Sequence, residues 1–80
     1  MLTGEQIRAA RAMLRMDQSV LAEAAGISVE TVKRLEAQDG PLKTGRAATV
    51  TAIEKALNSA GVEFTNGDEP GVKLRAKRKR

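Results

Sequence analysis

Residues 17–35, DQSVLAEAAGISVETVKRL, constrain the fold more than any other part of the chain. They read as two short helices joined by a tight turn. Asp17 can cap the first helix, its carboxylate accepting from exposed backbone N–H groups, and Gln18 opens it. Leu21, Ala22 and Ala25 supply a small apolar face. Gly26 follows where a positive φ ends a helix without a Cβ penalty. Ser28 can cap the second helix, whose apolar positions Val32 and Leu35 are three apart. Met16 precedes one cap and Ile27 the other, each placed to staple onto Leu21 or Val32. So short a turn makes the helices cross steeply, and small residues such as Ala22 and Ala25 permit the close approach.

The flanking segments extend a helical pattern and then break it. Thr3-Gly4-Glu5-Gln6 reads as a capping box with Leu2 and Ile7 at the staple positions. Ile7, Ala10 and Leu14 form one face of the first helix, with Arg8 and Arg15 outside it. Gly40-Pro41 is a turn signal, and Leu42 covers the edge of the core. Ala47, Val50, Ile53, Leu57 and Ala60 give the stripe of a fourth helix, with Thr44, Thr49 or Thr51 as its cap and Gly61 as its stop. Beyond Gly61 the period falls to two: Val62-Glu63-Phe64-Thr65 and Val72-Lys73-Leu74-Arg75 alternate around a turn-rich loop of about six residues. The expectation is a mainly α fold: four helices over 1–61, a β-hairpin over 62–75 and a basic tail over 76–80.

Eighty residues allow one small domain with a limited core, whose stability can depend on a partner subunit. With no Cys and no His, the chain has no disulfide framework, no thiolate metal site and no imidazole base. No metal, cofactor or catalytic residue is expected. No apolar run reaches the roughly 18 residues of a membrane span, and no signal-peptide pattern opens the chain, so a cytoplasmic protein with no membrane partner is expected. The net charge is +4, and residues 73–80 hold six of the 14 basic residues and no acid. Such a tail either draws the chain to a polyanion or serves only as a solvated, solubilising end.

Gln18, Leu21, Ala22, Gly26, Ile27, Ser28, Val32 and Leu35-Glu36 together resemble the helix-turn-helix of the phage lambda repressor/Cro class, the xenobiotic-response-element family. The resemblance runs from about Gln6 to about Leu57. It implies a four-helix lambda-repressor-like domain that binds double-stranded DNA. It also implies a structural ion pair between Arg11 and Glu36, tying the first helix to the third; the alternative is two solvated charges. Many members have a fifth helix where this chain has its hairpin.

The second helix of the motif lies in the major groove, where each base pair shows a distinct donor and acceptor pattern. Ile27, Val32 and Leu35 face the body, which leaves Val29, Glu30, Lys33 and Arg34 pointing outward. By resemblance the base-reading positions are Val29, Glu30 and Arg34. Val29 can touch only a thymine methyl, Glu30 can accept from cytosine N4, and Arg34 can fork onto guanine O6 and N7. The alternatives are bare helix surface for Val29 and Glu30 and a phosphate contact for Arg34. Gln18 matches the glutamine that, with the helix N-terminus, holds a phosphate. Thr31 and Lys33 suit the flanking backbone. Lys43, Thr44 and Arg46 are implied phosphate contacts beyond the groove, and Lys77, Arg78, Lys79 and Arg80 are tail contacts to DNA.

The expected function is that of a sequence-specific transcriptional regulator, a repressor or an activator, associated with the nucleoid through DNA. It would act as a homodimer on two half-sites. Small members of this family often regulate their own promoter. The dimer is assigned to the hairpin and the end of the fourth helix: Leu57, Ala60, Val62, Phe64, Val72 and Leu74. The alternative is a hairpin folded back on its own helix in a monomer. Two rival functions stand beside this one: an antitoxin-like adaptor whose hairpin and tail engage a protein partner, and an RNA binder using the tail. The RNA reading is the weaker, because Phe64 is the only aromatic residue and offers no stacking platform.

Overall fold

Thr3 opens the first helix by the reciprocal bonds that the sequence predicts. Its Oγ1 accepts from the Gln6 backbone N–H at 3.0 Å, and Gln6 Oε1 accepts from the Thr3 N–H at 2.9 Å. In this computed structural model, which describes residues 2–38, 42, 46–65 and 69–75, helix α1 spans Gly4–Leu14. Helix α2 spans Gln18–Ala25, α3 Val29–Glu36 and α4 Ala47–Ala60. Strands β1 (Val62–Thr65) and β2 (Gly71–Leu74) form a two-stranded antiparallel sheet. Val62 pairs with Leu74, Glu63 with Lys73, Phe64 with Val72 and Thr65 with Gly71. The second strand thus begins one residue earlier than its alternation suggests, and the loop is one residue shorter.

The helix junctions show which local signals act. Gly26 closes α2 at φ 71°, and the Ile27 N–H returns to the Ala22 carbonyl at 2.9 Å. Ser28 Oγ accepts from the Thr31 N–H at 3.1 Å and starts α3. Asp17 sits at the N-cap of α2 in extended backbone, but its side chain makes no capping bond; its charge instead favours the nearby Arg11 cation. Helix α1 ends on Arg15 in the left-handed region at φ 56°, a conformation usually left to glycine. The cap of α4 is Arg46, with no side-chain bond to the helix, and Thr49 and Thr51 lie inside the helix rather than before it. Thr44, the other candidate, lies outside the described residues.

One core runs through all the elements. Ile7, Leu21, Val32, Leu35, Ile53, Leu57 and Val62 have no exposed surface, and Leu2, Ala10 and Ala22 close the gaps between them. Each such aliphatic side chain contributes about 1.5–3 kcal/mol of burial. Leu14, Met16, Ile27, Leu42, Val50, Phe64 and Val72 pack half-buried around it. The stripe on α4 is narrower than its spacing suggests: Ile53 and Leu57 are buried, whereas Ala47 and Ala60 at its ends are exposed.

The hairpin folds back onto its own chain, β1 against α4 and both strands against α1. Gln6 fixes it there, its Nε2 donating to the carbonyls of Thr65 and Gly71 at 2.9 Å each. Leu57 and Val62, assigned above to a dimer contact, are wholly buried in this packing and cannot meet a second chain. Ala60 and Leu74 remain exposed and Phe64 and Val72 half-exposed. Alternation places all four hairpin side chains on one face, but β1 is tucked into the core while β2 is turned out. Among the described residues no helix is long and apolar enough to cross a membrane.

Candidate nucleic-acid interface

Helices α2 and α3 are joined through Gly26, Ile27 and Ser28. Burial of Val32 and Leu35 fixes which side of α3 faces the body. Glu30, Lys33 and Arg34 therefore point into solvent, as expected from the sequence. Val29 does not follow them fully: it is half-buried and packs against the core, leaving only part of its side chain on the surface. Thr31 is also half-buried, and its Oγ1 lies 2.9 Å from Ser28 Oγ.

An open groove of about 360 Å³ separates α3 from the start of α4. Ile27, Ser28, Thr31, Arg34, Arg46 and Thr49 line it. Arg34 and Arg46, drawn from different elements, thus face the same space with hydroxyl groups between them. Two guanidinium groups and several hydroxyls can hold anionic oxygens or base edges. In the sequence Thr49 reads only as a possible cap, and nothing local places Ser28 in the groove. Their positions depend on how α4 docks against α3, which no local spacing reports. Lys43, Thr44 and the tail positions Lys77, Arg78, Lys79 and Arg80 lie outside the described residues.

The back of α3 is anchored by its last residue. Glu36 is buried, and Arg11 meets it with two hydrogen bonds, Nε to Oε2 at 2.5 Å and Nη2 to Oε1 at 2.9 Å. The ion pair inferred from resemblance is therefore present. Its hydrogen bond to Glu36, against a smaller opposing effect of burial, holds the Arg11 guanidinium above its usual range. Arg11 Nη1 also donates to the Met16 carbonyl at 2.7 Å, and Arg8 Nη1 donates to the Glu36 carbonyl. Cations at the C-terminus of α3 suit the negative end of its dipole.

Gln18 joins the same cluster. Its Nε2 donates to Glu36 Oε1 at 3.0 Å. One of the two N–H donors of the amide expected at a phosphate is thus committed to Glu36 inside the protein. The signal for Arg8 and Gln18 lay in their proximity in space to Glu36, across intervals of 28 and 18 residues. No protein-family description and no curated protein matches this chain.

Proposed function

We propose that the chain is a lambda-repressor-like helix-turn-helix protein that binds double-stranded DNA sequence-specifically and regulates transcription. The observation that carries this reading is the construction of α3. Its outer side offers exposed Glu30, Lys33 and Arg34, its groove is shared with Arg46, and its inner side is bolted to α1 and α2 through Glu36. A helix held rigidly on one side and polar on the other is suited to the major groove.

In this reading Arg34 forks onto guanine, Lys33 and Arg46 take flanking phosphates, and Glu30 accepts from a cytosine amino group or screens against other bases. Val29 offers a thymine methyl only the edge of its side chain. The protein performs no catalysis. It acts in the cytoplasm as a dimer on two half-sites, since one such helix covers few base pairs. Selection of bound genomic fragments by the full chain at physiological salt tests the reading. The expected outcome is an enriched motif with two related half-sites, bound about 10³-fold or more tightly than random duplex. Uniform recovery of all fragments would contradict it.

A further inference from the structure

Among the described residues lining the groove between α3 and α4, Ser28 carries the exposed hydroxyl; Thr31 and Thr49 are half-buried. Ser28 ends the turn that joins α2 to α3, in extended backbone at φ −81° and ψ 155°. Its Oγ accepts from the Thr31 N–H at 3.1 Å and lies 2.9 Å from Thr31 Oγ1. Arg34 on α3 and Arg46 before α4 line the same space. Among the described residues neither guanidinium has an ion-pair partner. Two uncompensated cations from different elements thus share one open groove with an accessible hydroxyl.

We propose that Ser28 is a phosphorylation site and that its phosphoryl group closes this groove. In the transfer, Ser28 Oγ forms a bond to the γ-phosphorus of ATP held by a protein kinase. The bond from that phosphorus to the β–γ bridging oxygen breaks, its electron pair leaving with ADP, and the hydroxyl proton passes to the base of the kinase. The product carries close to two negative charges and three strong acceptor oxygens at neutral pH. Arg34 and Arg46 can take those oxygens through charge-assisted, forked hydrogen bonds. The Thr31 N–H can pass from Oγ to an oxygen of the same group, so α3 keeps its cap.

The consequence for DNA rests on the proposed function. The cations assigned there to a guanine and to a phosphate would be engaged within the chain, and a dianion would stand where the duplex backbone has to come. This differs from a mere loss of net charge. Ser59, near the end of α4, is also exposed but lines a different groove, with Lys55 and four alanines. A phosphate there lowers the net charge equally and leaves Arg34 and Arg46 free.

The full chain carrying phosphoserine at position 28, made by chemical ligation, tests capture of the phosphate without DNA. Its phosphorus-31 resonance is followed with pH. A phosphate held by two guanidinium groups is expected to titrate at least about one unit below its ordinary value near 6. Arg34→Ala and Arg46→Ala should each move the midpoint back. A midpoint equal to that of the same chain unfolded in urea, or one that neither substitution changes, would overturn the inference. Affinity for random duplex is then compared among the unmodified chain, the chain phosphorylated at Ser28 and the chain phosphorylated at Ser59. The phosphate at Ser28 is expected to cost at least about tenfold, and that at Ser59 much less. Equal losses would reduce the effect to net charge and would also overturn it. An unmodified chain that binds no DNA would refute the proposed function instead, while the phosphorus titration would still decide whether the groove captures the phosphate.

Discussion

Gln18 and Arg11 share one carboxylate: Gln18 Nε2 and Arg11 Nη2 both donate to Glu36 Oε1, at 3.0 and 2.9 Å. The first turn of α2, the last turn of α3 and the last turn of α1 are thereby fixed to one buried acid. The outward side chains of α3 are held in place from behind.

Glu36→Ala should be strongly destabilising. Removing one partner of a buried pair costs about 3–5 kcal/mol, and the lower end applies because the Arg11 side chain is one-fifth exposed. At about 4–8 °C per kcal/mol for a domain this size, the melting midpoint should fall by at least ~10 °C. Arg11 titrates above its usual range, so its stabilising effect is complete at lower pH and is lost only as pH rises through that raised value. The gap between wild type and variant should hold steady from about pH 7 to about pH 10. Midpoints within a degree or two of each other in circular-dichroism melts would remove the claim.

Gln6 should be more sensitive to charge than to truncation. Gln6→Ala leaves the Thr65 and Gly71 carbonyls without their amide donor and should cost about 1–3 kcal/mol. Gln6→Glu sets a carboxylate against those same two oxygens and should cost more, although a glutamate can complete a capping box. Hydrogen exchange at the Gly71 amide should accelerate in both variants. A glutamate variant as stable as wild type would show that the amide does not hold the hairpin.

Gly4 is needed for space, not for backbone freedom. A Cβ there would overlap the Gln38 carbonyl oxygen and lie 2.8 Å from that of Leu35. Alanine normally favours a helix over glycine by about 1 kcal/mol, yet backbone overlap of this kind costs about 1–3 kcal/mol or more. Gly4→Ala should therefore lower the midpoint in chemical denaturation. A stabilised variant would mean that α1 and the end of α3 lie farther apart.

The signals legible in the sequence were those that act within one turn of chain. Thr3 with Gln6, Ser28 at α3 and Gly26 at the α2 stop each carry their own chemistry, and the two-residue period announced the hairpin. Arg11 and Glu36 are 25 residues apart, and resemblance rather than spacing joined them. What escaped depends on packing across the chain. Arg15 takes a left-handed conformation because Met16 beside it turns back onto the core and offers its carbonyl to Arg11. Gln6 read only as a cap because nothing local reveals that β1 and β2 end beside it. Alternation puts Val62 with Phe64 and Val72 with Leu74, but cannot reveal that Val62 is covered and Leu74 left bare.

The proposed reading of DNA by α3 through Arg34 is tested most directly by the affinity of Arg34→Ala for a selected site and for random duplex at one salt concentration. Loss of a bidentate guanine contact should weaken binding to the selected site by about 1–3 kcal/mol per half-site and relax preference at one position, with a much smaller change on random DNA. Lys33→Ala serves as the control, weakening both and lowering the salt slope by about one. An Arg34→Ala protein that loses affinity equally on both DNAs, or on neither, would contradict the account.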